Sequence, residues 1–277
     1  MKTLRNKMIQ QMQLKGYSQS TIHSYIVNLI QLAKYYNTSP DLLSVEQIRD
    51  FLQFNINEKK LSKSWLNQMV SALKILFCDV LNRDWDPLEI PRSRREKKLP
   101  VVLSREEVTQ IIQVTKNIKH RAILMLIYSS GLRLSEARNL KISDIDSKRM
   151  QVRVVQAKGF KDRYSILSSV ALDLLRQYWM KSRPKTWLFE TQQGKAISQR
   201  SIQQLFHKAL RKACIQKEAS VHSLRHSFAT HLMEQGVSLP VIQQLLGHKS
   251  LRTTSIYLHV QQYSVLSVKS PLDTLTL

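Results

Sequence analysis

The hydrophobic pattern of this chain changes abruptly about eighty residues from its start. Up to that point apolar residues recur close to every 3.6 positions, which is typical of helices that bury one face. Ser18 is placed to cap one such helix, Ser44-Val-Glu-Gln47 has the form of a capping box before a second, and a third is expected from about Ser62 to Leu81. Four such amphipathic helices would make a small bundle, so residues 1–83 are predicted to form a helical domain.

The pattern breaks at Asp84-Trp-Asp-Pro87 and Ile90-Pro91 and does not resume before Pro100. Between the prolines lies a basic run that contains Arg92, Arg94, Arg95, Lys97 and Lys98. Residues 84–103 are therefore predicted to be an interdomain linker. The run is either a solvated tether or a strap along DNA phosphates, and the charge of the whole chain favours the strap.

Residues 104–277 are predicted to form a second domain of mixed structure. Ser104-Arg-Glu-Glu107 is a capping box, and His120 to Ser129 is an apolar, buried helix. Two strands, Met150–Val155 and Arg163–Leu167, are expected to pair around a lysine-containing turn. Helices are expected near 169–182, 198–213, 222–235, 239–246 and 250–258. The predicted fold class is mainly α with a small antiparallel β-sheet.

The charge balance indicates a polyanionic partner. Lys and Arg number 43 against 20 Asp and Glu, a net charge of +23, and such an excess favours nucleic acid. A ribosome-associated or peripheral membrane protein is not excluded by charge alone. The two cysteines have no metal-ligand spacing, the start of the chain has no apolar signal core, and the longest apolar run is too short to span a bilayer. We expect a cytoplasmic, nucleoid-associated protein without a membrane partner.

The first cluster with chemical potential is Gly131-Leu-Arg-Leu-Ser-Glu136. Arg133 follows an apolar helix directly, so its backbone has a rigid support, and Glu136 is close enough to orient the guanidinium group. This pair could equally be an ordinary arginine–glutamate pair on the surface.

The second cluster, Val221-His-Ser-Leu-Arg-His226, opens a helix. His222 and Arg225 are three residues apart and project from one helical face. His222 and His226 have the spacing of a zinc helix, but position 223 is Ser where the zinc motif has Glu. No third ligand is evident nearby, so no metal and no other cofactor is predicted.

The third cluster runs from Leu246-Gly-His248 to Tyr257. A helix is expected to stop at Gly247, which leaves His248 exposed, and another helix carries Tyr257 nine residues later. Taken singly, His248 fits a helix end, and Tyr257 fits a core position with a satisfied hydroxyl group.

Together the three clusters suit one reaction, the cleavage of a DNA phosphodiester without a metal. That reaction needs a nucleophile, cations for the negative charge of the transition state and a proton donor for the departing oxygen. A tyrosine hydroxyl can attack phosphorus and leave a covalent phosphotyrosine, which stores the bond energy for religation. Arginines can bind the non-bridging oxygens in a bidentate manner.

The order GLRLSE, AKGFKDR, HSLRHSFATH and LGHKSLRTTSIY resembles the tyrosine recombinase (phage integrase) family, in the layout of the Xer type. The match covers about residues 104–260, and the helical first part is similar to the core-binding domain of that family. The resemblance implies that Arg133 and Arg225 clamp the scissile phosphate, that Lys158 protonates the 5′-hydroxyl leaving group, and that Tyr257 forms the 3′-phosphotyrosyl intermediate.

The resemblance further implies that His222 acts as acid and base for the tyrosine proton, that His248 hydrogen-bonds the transition state, and that Glu136 braces the cluster. The turn reads AKG where GKG is commoner in the family, so Lys161 is a rival for Lys158. Tyr263 is a second tyrosine, but it falls at the wrong distance from His248.

The resemblance also implies the assembly: two DNA-binding domains on duplex DNA, and four protomers on two recombination sites. The residues after Tyr257 would dock on a neighbouring protomer, and integration, excision and resolution of DNA are all open. A type IB topoisomerase would share the chemistry without needing a specific site. A non-catalytic DNA-binding regulator or an RNA-binding, ribosome-associated protein would explain the charge but not the Arg–Lys–His–Arg–His–Tyr series.

Overall fold

A computed structural model describes residues 2–84, 90, 92, 99–157 and 161–259. The chain separates into two compact units, residues 1–97 and 98–277. Lys158, Tyr263 and four of the predicted DNA-contacting residues of the linker lie outside the described residues: Arg94, Arg95, Lys97 and Lys98. The boundaries 1–83, 84–103 and 104–277 stay a prediction.

The first unit is helical. Its helices are α1 (Lys2–Leu14), α2 (Gln19–Tyr36), α3 (Val45–Asn57) and α4 (Lys63–Lys74), and α4 continues into a π-helical turn over Ile75–Val80. Their apolar faces enclose one core, which includes Met8, Met12, Leu32, Phe51, Met69 and Leu73. This burial is what the 3.6-residue periodicity predicts.

Serine caps set the starts of three of these helices. The hydroxyl oxygens of Ser18, Ser44 and Ser62 each accept a backbone N–H from the first turn of α2, α3 and α4. Ser44 and Gln47 form the complete capping box that the sequence predicts. Capping satisfies backbone donors that have no partner inside the helix.

The second unit contains a small sheet surrounded by helices. The helices are α5 (Arg105–Val114), α6 (Ile118–Ser130), α7 (Leu134–Arg138), α8 (Ser169–Ser182), α9 (Gln199–Lys212), α10 (Val221–Glu234), α11 (Leu239–Leu246) and α12 (Leu251–Thr254). The strands are β1 (Ile145–Asp146), β2 (Gln151–Ala157) and β3 (Lys161–Ile166), and a 3-10 turn over Ser255–His259 follows α12. The predicted fold class, mainly α with a small antiparallel sheet, is confirmed.

The sheet has the order β1-β2-β3, and both pairings are antiparallel. Val154 lies opposite Arg163, and a register irregularity separates this pair from the turn. Because alternate residues of a strand face opposite sides, Val152, Val154, Arg163 and Ser165 all point into the protein and are buried. This alternation brings the side chain of Arg163 to the interior. Strand β1 and helix α7 were not predicted, because segments of two and five residues are too short for a periodic pattern.

Two glycines end helices beside the interior cluster of charged side chains. Gly131 ends α6 with a φ of 58°, and Gly247 ends α11 with a φ of 63°; both lie in the left-handed region that side chains disfavour. A Cβ on Gly131 would overlap the ring of Phe228, and one on Gly247 would lie 2.6 Å from Cδ of Arg163. The absence of side chains therefore permits two close approaches.

None of the helices in the described part of the chain combines the length and apolar character that a bilayer crossing requires.

We predict that Gly131→Ala destabilises the second unit more than Gly194→Ala does. Gly194 also has a positive φ, 71°, but has open space where a Cβ would stand. Both changes carry the cost of a left-handed alanine, and only Gly131→Ala adds overpacking, which is worth roughly 1–3 kcal/mol. Thermal unfolding of the two variants measures the difference. Equal melting temperatures would show that the Phe228 ring relaxes freely.

Candidate active site

The carboxylate of Glu136 lies at the centre of a group of arginines. Arg133 donates to it twice, from its backbone N–H (2.7 Å to Oε2) and from Nη1 (2.7 Å to Oε1). Arg163 binds it in a bidentate manner, with Nη1 at 2.7 Å and Nη2 at 2.8 Å. Nη1 of Arg225 is 3.6 Å from Oε2. Three guanidinium groups share one carboxylate, so the cluster carries excess positive charge.

The environment keeps Glu136 ionised. Its side chain is only 7% exposed, and burial by itself raises the pKa of a carboxyl group. The hydrogen bonds and charge of Arg163, with the backbone N–H of Arg133 and the charge of Arg225, outweigh burial and lower the pKa of Glu136 to about 2.

Arg225 lies deepest in the cluster. Its side chain is 1% exposed, and its two terminal nitrogens donate to main-chain carbonyls, Nη1 to Gly131 and Nη2 to Leu246, both at 2.6 Å. These carbonyls lie at the C-terminal ends of α6 and α11, where carbonyls lack helical partners and the helix dipole is negative. Burial and the charge of Arg133 lower the pKa of Arg225 to about 9, which still leaves it charged at neutral pH.

The other two arginines contact the same end of α11. Nε of Arg163 donates to the carbonyl of Leu245 at 2.9 Å, and Nη2 of Arg133 is 3.5 Å from the carbonyl of Gly247. The side chain of Arg133 is 21% exposed and that of Arg163 is 7% exposed. Arg133 is thus the more accessible cation, while Arg163 is enclosed.

The two predicted histidines are kept neutral. Burial, followed by the charges of Arg225 and Arg133, lowers the pKa of His248 to about 3 and also lowers the pKa of His222. Nδ1 of His248 is 2.9 Å from the hydroxyl of Thr254, which fixes the orientation of the ring. His222 lies on the first turn of α10, where part of its side chain is packed against the cluster and the rest remains accessible to solvent.

Tyr257 lies in the 3-10 turn and is 1% exposed. Its ring packs with Phe228, Met233 and Leu246 in an apolar cluster. Its hydroxyl oxygen is 3.1 Å from Nδ1 of His226. Burial raises the pKa of Tyr257, and the charges of Arg225 and Arg133 act in the opposite direction. The residue therefore has the packing of a core tyrosine, and the charges of two arginines partly offset the effect of burial on its hydroxyl.

Sequence reasoning missed two residues of this cluster. The sequence places Arg163 in a strand, and the strand alternation that buries Val154 also turns Arg163 inward. The sequence offers His226 only as a metal ligand beside His222; in the structure their rings are perpendicular, with centroids 4.8 Å apart. Among the described residues, no group of three or more His, Cys, Asp or Glu side chains could hold a metal ion.

The structure brings most of the predicted residues into one electrostatic neighbourhood. Arg133 and Arg225 both act on the pKa values of three of the predicted residues: His222, His248 and Tyr257. Of the predicted DNA-contacting residues, Lys161 begins β3, and Arg92 belongs to the first unit, where its Nη2 is 3.4 Å from the hydroxyl of Ser71.

Two family models match the chain. The phage integrase family matches residues 101–263, and the N-terminal SAM-like domain of phage integrases matches residues 4–87. The chain belongs to the phage integrase family. It is a tyrosine recombinase of the Xer type, and tyrosine recombinases are site-specific DNA recombinases.

Relatives support this membership over nearly the full chain. A candidate integrase/recombinase of Sinorhizobium fredii is 42% identical over 99% of this chain and 90% of its own length. A tyrosine recombinase XerC of Halalkalibacterium halodurans is 32% identical over 89% of this chain and 90% of its own length.

Solved structures of recombinases have the same fold. The recombinase XerA is 28% identical, with a TM-score of 0.56 over 94% of each chain. XerH bound to its difH substrate is 25% identical, with a TM-score of 0.69 over 87% of this recombinase and 76% of that chain. A lambda integrase dimer on a core site, at 20% identity and a TM-score of 0.73, shows likeness of fold alone.

We predict that Glu136 makes the stability of this recombinase pH-dependent below pH 5. Its pKa is about 2 in the folded state against an ordinary value of 4.5, so its contribution is complete well above pH 4.5 and is lost as the pH falls from about 5 through 2. The depression corresponds to roughly 3 kcal/mol, of which about two fifths is lost at pH 3.5.

Urea unfolding of wild type and Glu136→Gln at pH 7 and pH 3.5 measures this loss as a shrinking difference between the two proteins. Asp173→Asn is the control, since Asp173 forms only an exposed pair with Arg176. A wild-type advantage over Glu136→Gln that stays constant with pH would contradict the assigned pKa.

Proposed function

We propose that this recombinase cleaves and rejoins DNA strands at specific sites through a 3′-phosphotyrosyl intermediate on Tyr257. One observation carries the proposal: Arg133 and Arg225 are near enough to the Tyr257 hydroxyl for their positive charges to act on its pKa. Cleavage of a phosphodiester requires a cationic cluster beside the nucleophile, because preorganised donors stabilise the negative charge that develops in the transition state.

In the proposed reaction the scissile phosphate binds at the open side of the arginine cluster. Arg133 is the arginine whose side chain retains exposure, so it makes the outer contact with a non-bridging oxygen. Arg225 supplies a positive charge from the buried side of the cluster. It also links the ends of α6 and α11 through its hydrogen bonds to Gly131 and Leu246. Glu136 offsets the repulsion between the arginines and fixes their directions.

The attack itself requires a local rearrangement. Tyr257 is 1% exposed and packed in apolar surroundings, so DNA binding must uncover its hydroxyl. The element that has to move is the 3-10 turn over Ser255–His259, which carries Tyr257. Neutral His248 donates a hydrogen bond to a phosphate oxygen, and Lys158 protonates the departing 5′-oxygen.

The proposed partner is double-stranded DNA, bound by both units of the chain. The net charge of +23 provides non-specific attraction to phosphates, and the contacts proposed outside the catalytic cluster are Arg92, Arg94, Arg95, Lys97, Lys98 and Lys161. Among the structural neighbours, XerH is bound to difH and a lambda integrase tetramer is bound to a Holliday junction. We propose that four protomers likewise act on two sites, in the cytoplasm, in the integration, excision or resolution of mobile DNA.

We expect Tyr257→Phe to abolish a covalent protein–DNA adduct. The substrate is a nicked suicide duplex that carries a target selected from a random duplex pool by binding to the wild-type protein. Loss of one oxygen removes the nucleophile and leaves the packing of the ring, so binding should persist. Tyr263→Phe is the matched control and should form adduct at the wild-type rate. Adduct formation by Tyr257→Phe would refute the assignment.

We expect Arg133→Ala to slow adduct formation at least ~100-fold at saturating DNA, because it removes an anchored phosphate donor. Arg225→Ala should lose as much cleavage and should also unfold more easily, since it leaves the two helix-end carbonyls unpaired. Arg176→Ala removes one exposed cation of the same unit and should leave cleavage within about twofold. Near-normal cleavage by Arg133→Ala would exclude the clamp role.

We expect Lys158→Ala to be partly rescued by a 5′-bridging phosphorothiolate substrate, because a sulfur leaving group departs without a proton. The comparison is the cleavage rate on oxygen and sulfur substrates for wild type, Lys158→Ala and Lys161→Ala. Rescue of Lys161→Ala alone would transfer the role of proton donor to Lys161.

A further inference from the structure

The hydroxyl of Tyr257 has one described side-chain partner, and it is not the histidine that the resemblance implies. Within the described residues its hydrogen bond is to Nδ1 of His226, at 3.1 Å. His222, one turn earlier on α10, contacts the ring of His226 rather than the phenol. Before DNA binds, the side chain in direct contact with the phenol oxygen is therefore that of His226.

The protonation state of His226 suits an acceptor. Burial, followed by the proximity of His222 and the charge of Arg225, lowers its pKa to about 4, so the ring is neutral at physiological pH. A neutral imidazole has one nitrogen with a free lone pair. With the proton on Nε2, Nδ1 accepts the hydrogen bond from the phenol.

We infer that His226 is a catalytic residue of this recombinase, that it keeps its contact with Tyr257 when DNA binding uncovers the hydroxyl, and that its Nδ1 takes the proton of Tyr257 as the phenol oxygen attacks phosphorus. The inference rests on the proposed function and deepens it. His222 then assists His226 through the perpendicular ring contact instead of receiving the proton itself.

The proton and bond changes balance. In cleavage the bond between Oη of Tyr257 and phosphorus forms, the bond between phosphorus and the 5′-oxygen breaks, and the phenol proton moves to Nδ1 of His226. The 5′-oxygen receives its proton from Lys158. In religation the 5′-hydroxyl attacks phosphorus, Lys158 recovers its proton, and His226 returns the other proton to Tyr257. No oxidant, metal or nucleotide is consumed.

The timing follows from acidity. In the resting site the phenol is a much weaker acid than the imidazolium ion of His226, so the proton stays on Tyr257. Formation of the bond to phosphorus withdraws charge from the oxygen and makes the phenol proton far more acidic. The bound phosphate also adds negative charge beside His226, where burial, His222 and Arg225 otherwise oppose a positive ring. Proton transfer therefore accompanies the attack.

The decisive variant is His226→Asn. An asparagine amide can hydrogen-bond the Tyr257 hydroxyl from nearly the position of Nδ1, but it cannot take up a proton. We expect adduct formation on the nicked suicide substrate to slow at least ~10-fold at saturating DNA, with DNA affinity unchanged. The defect should persist on the 5′-bridging phosphorothiolate substrate, because sulfur replaces only the proton donor.

A second measurement separates proton transfer from positioning. Replacement of Tyr257 by a trifluorinated tyrosine lowers the pKa of the phenol and reduces its need for a base. In the His226→Asn background this replacement should recover most of the lost rate, while in wild type it should change the rate little. A residue that only positions the ring would give the same ratio in both backgrounds.

The same helix offers a matched control. His231 also lies on α10, and its Nδ1 is 2.9 Å from the hydroxyl of another tyrosine, Tyr128. His231→Asn removes an equivalent histidine–tyrosine bond away from the arginine cluster. It should melt at a temperature similar to that of His226→Asn and cleave near the wild-type rate.

Three outcomes would overturn the inference: wild-type or faster cleavage by His226→Asn, a defect that trifluorotyrosine does not relieve, or an equal defect in His231→Asn. Failure of the proposed function itself is distinct. It would appear as adduct formation by Tyr257→Phe, or as no adduct with the wild-type protein, whatever residue 226 is.

Discussion

The second unit depends on the placement of one buried carboxylate among three guanidinium groups. Arg133, Arg163 and Arg225 would repel one another strongly in a region shielded from water, and the charges of Arg133 and Arg163 lower the pKa of Arg225. Glu136 lies between them and is held ionised by them. The result is an excess of positive charge at fixed positions, which is more useful for binding a phosphate than the same charge on mobile side chains.

The ends of two helices complete this arrangement. α6 ends at Gly131 and α11 ends at Gly247. The carbonyls at these two ends accept hydrogen bonds from arginine N–H groups that do not bond to Glu136. Fold and site are therefore coupled: the groups that satisfy the helix ends also orient the cations. The left-handed glycines let Phe228 and Arg163 approach the backbone closely enough for these contacts to form.

The same positive charge determines the state of the histidines. His222, His226 and His248 have lowered pKa values, because burial and the nearby arginines both disfavour a further cation. Neutral imidazoles can accept protons, and the one that contacts the Tyr257 hydroxyl is His226. The positive charge that suits the cluster to bind an anion thus also keeps its histidines unprotonated and able to accept a proton.

Most of the secondary structure and the family could be predicted from the amino-acid sequence. Apolar spacing and serine caps predicted the helices, strand alternation predicted the hairpin, and the order of Arg, His-x-x-Arg, Gly-His and Tyr indicated the family, because these are local patterns. Arg163 and His226 were missed as site residues, since their importance comes from contacts with Glu136, 27 residues away, and with Tyr257, 31 residues away. Local sequence therefore determined which elements form and which residue types are available. Only the tertiary structure decided which arginine is buried, which histidine meets the phenol and how much water reaches them, because these depend on packing between distant segments.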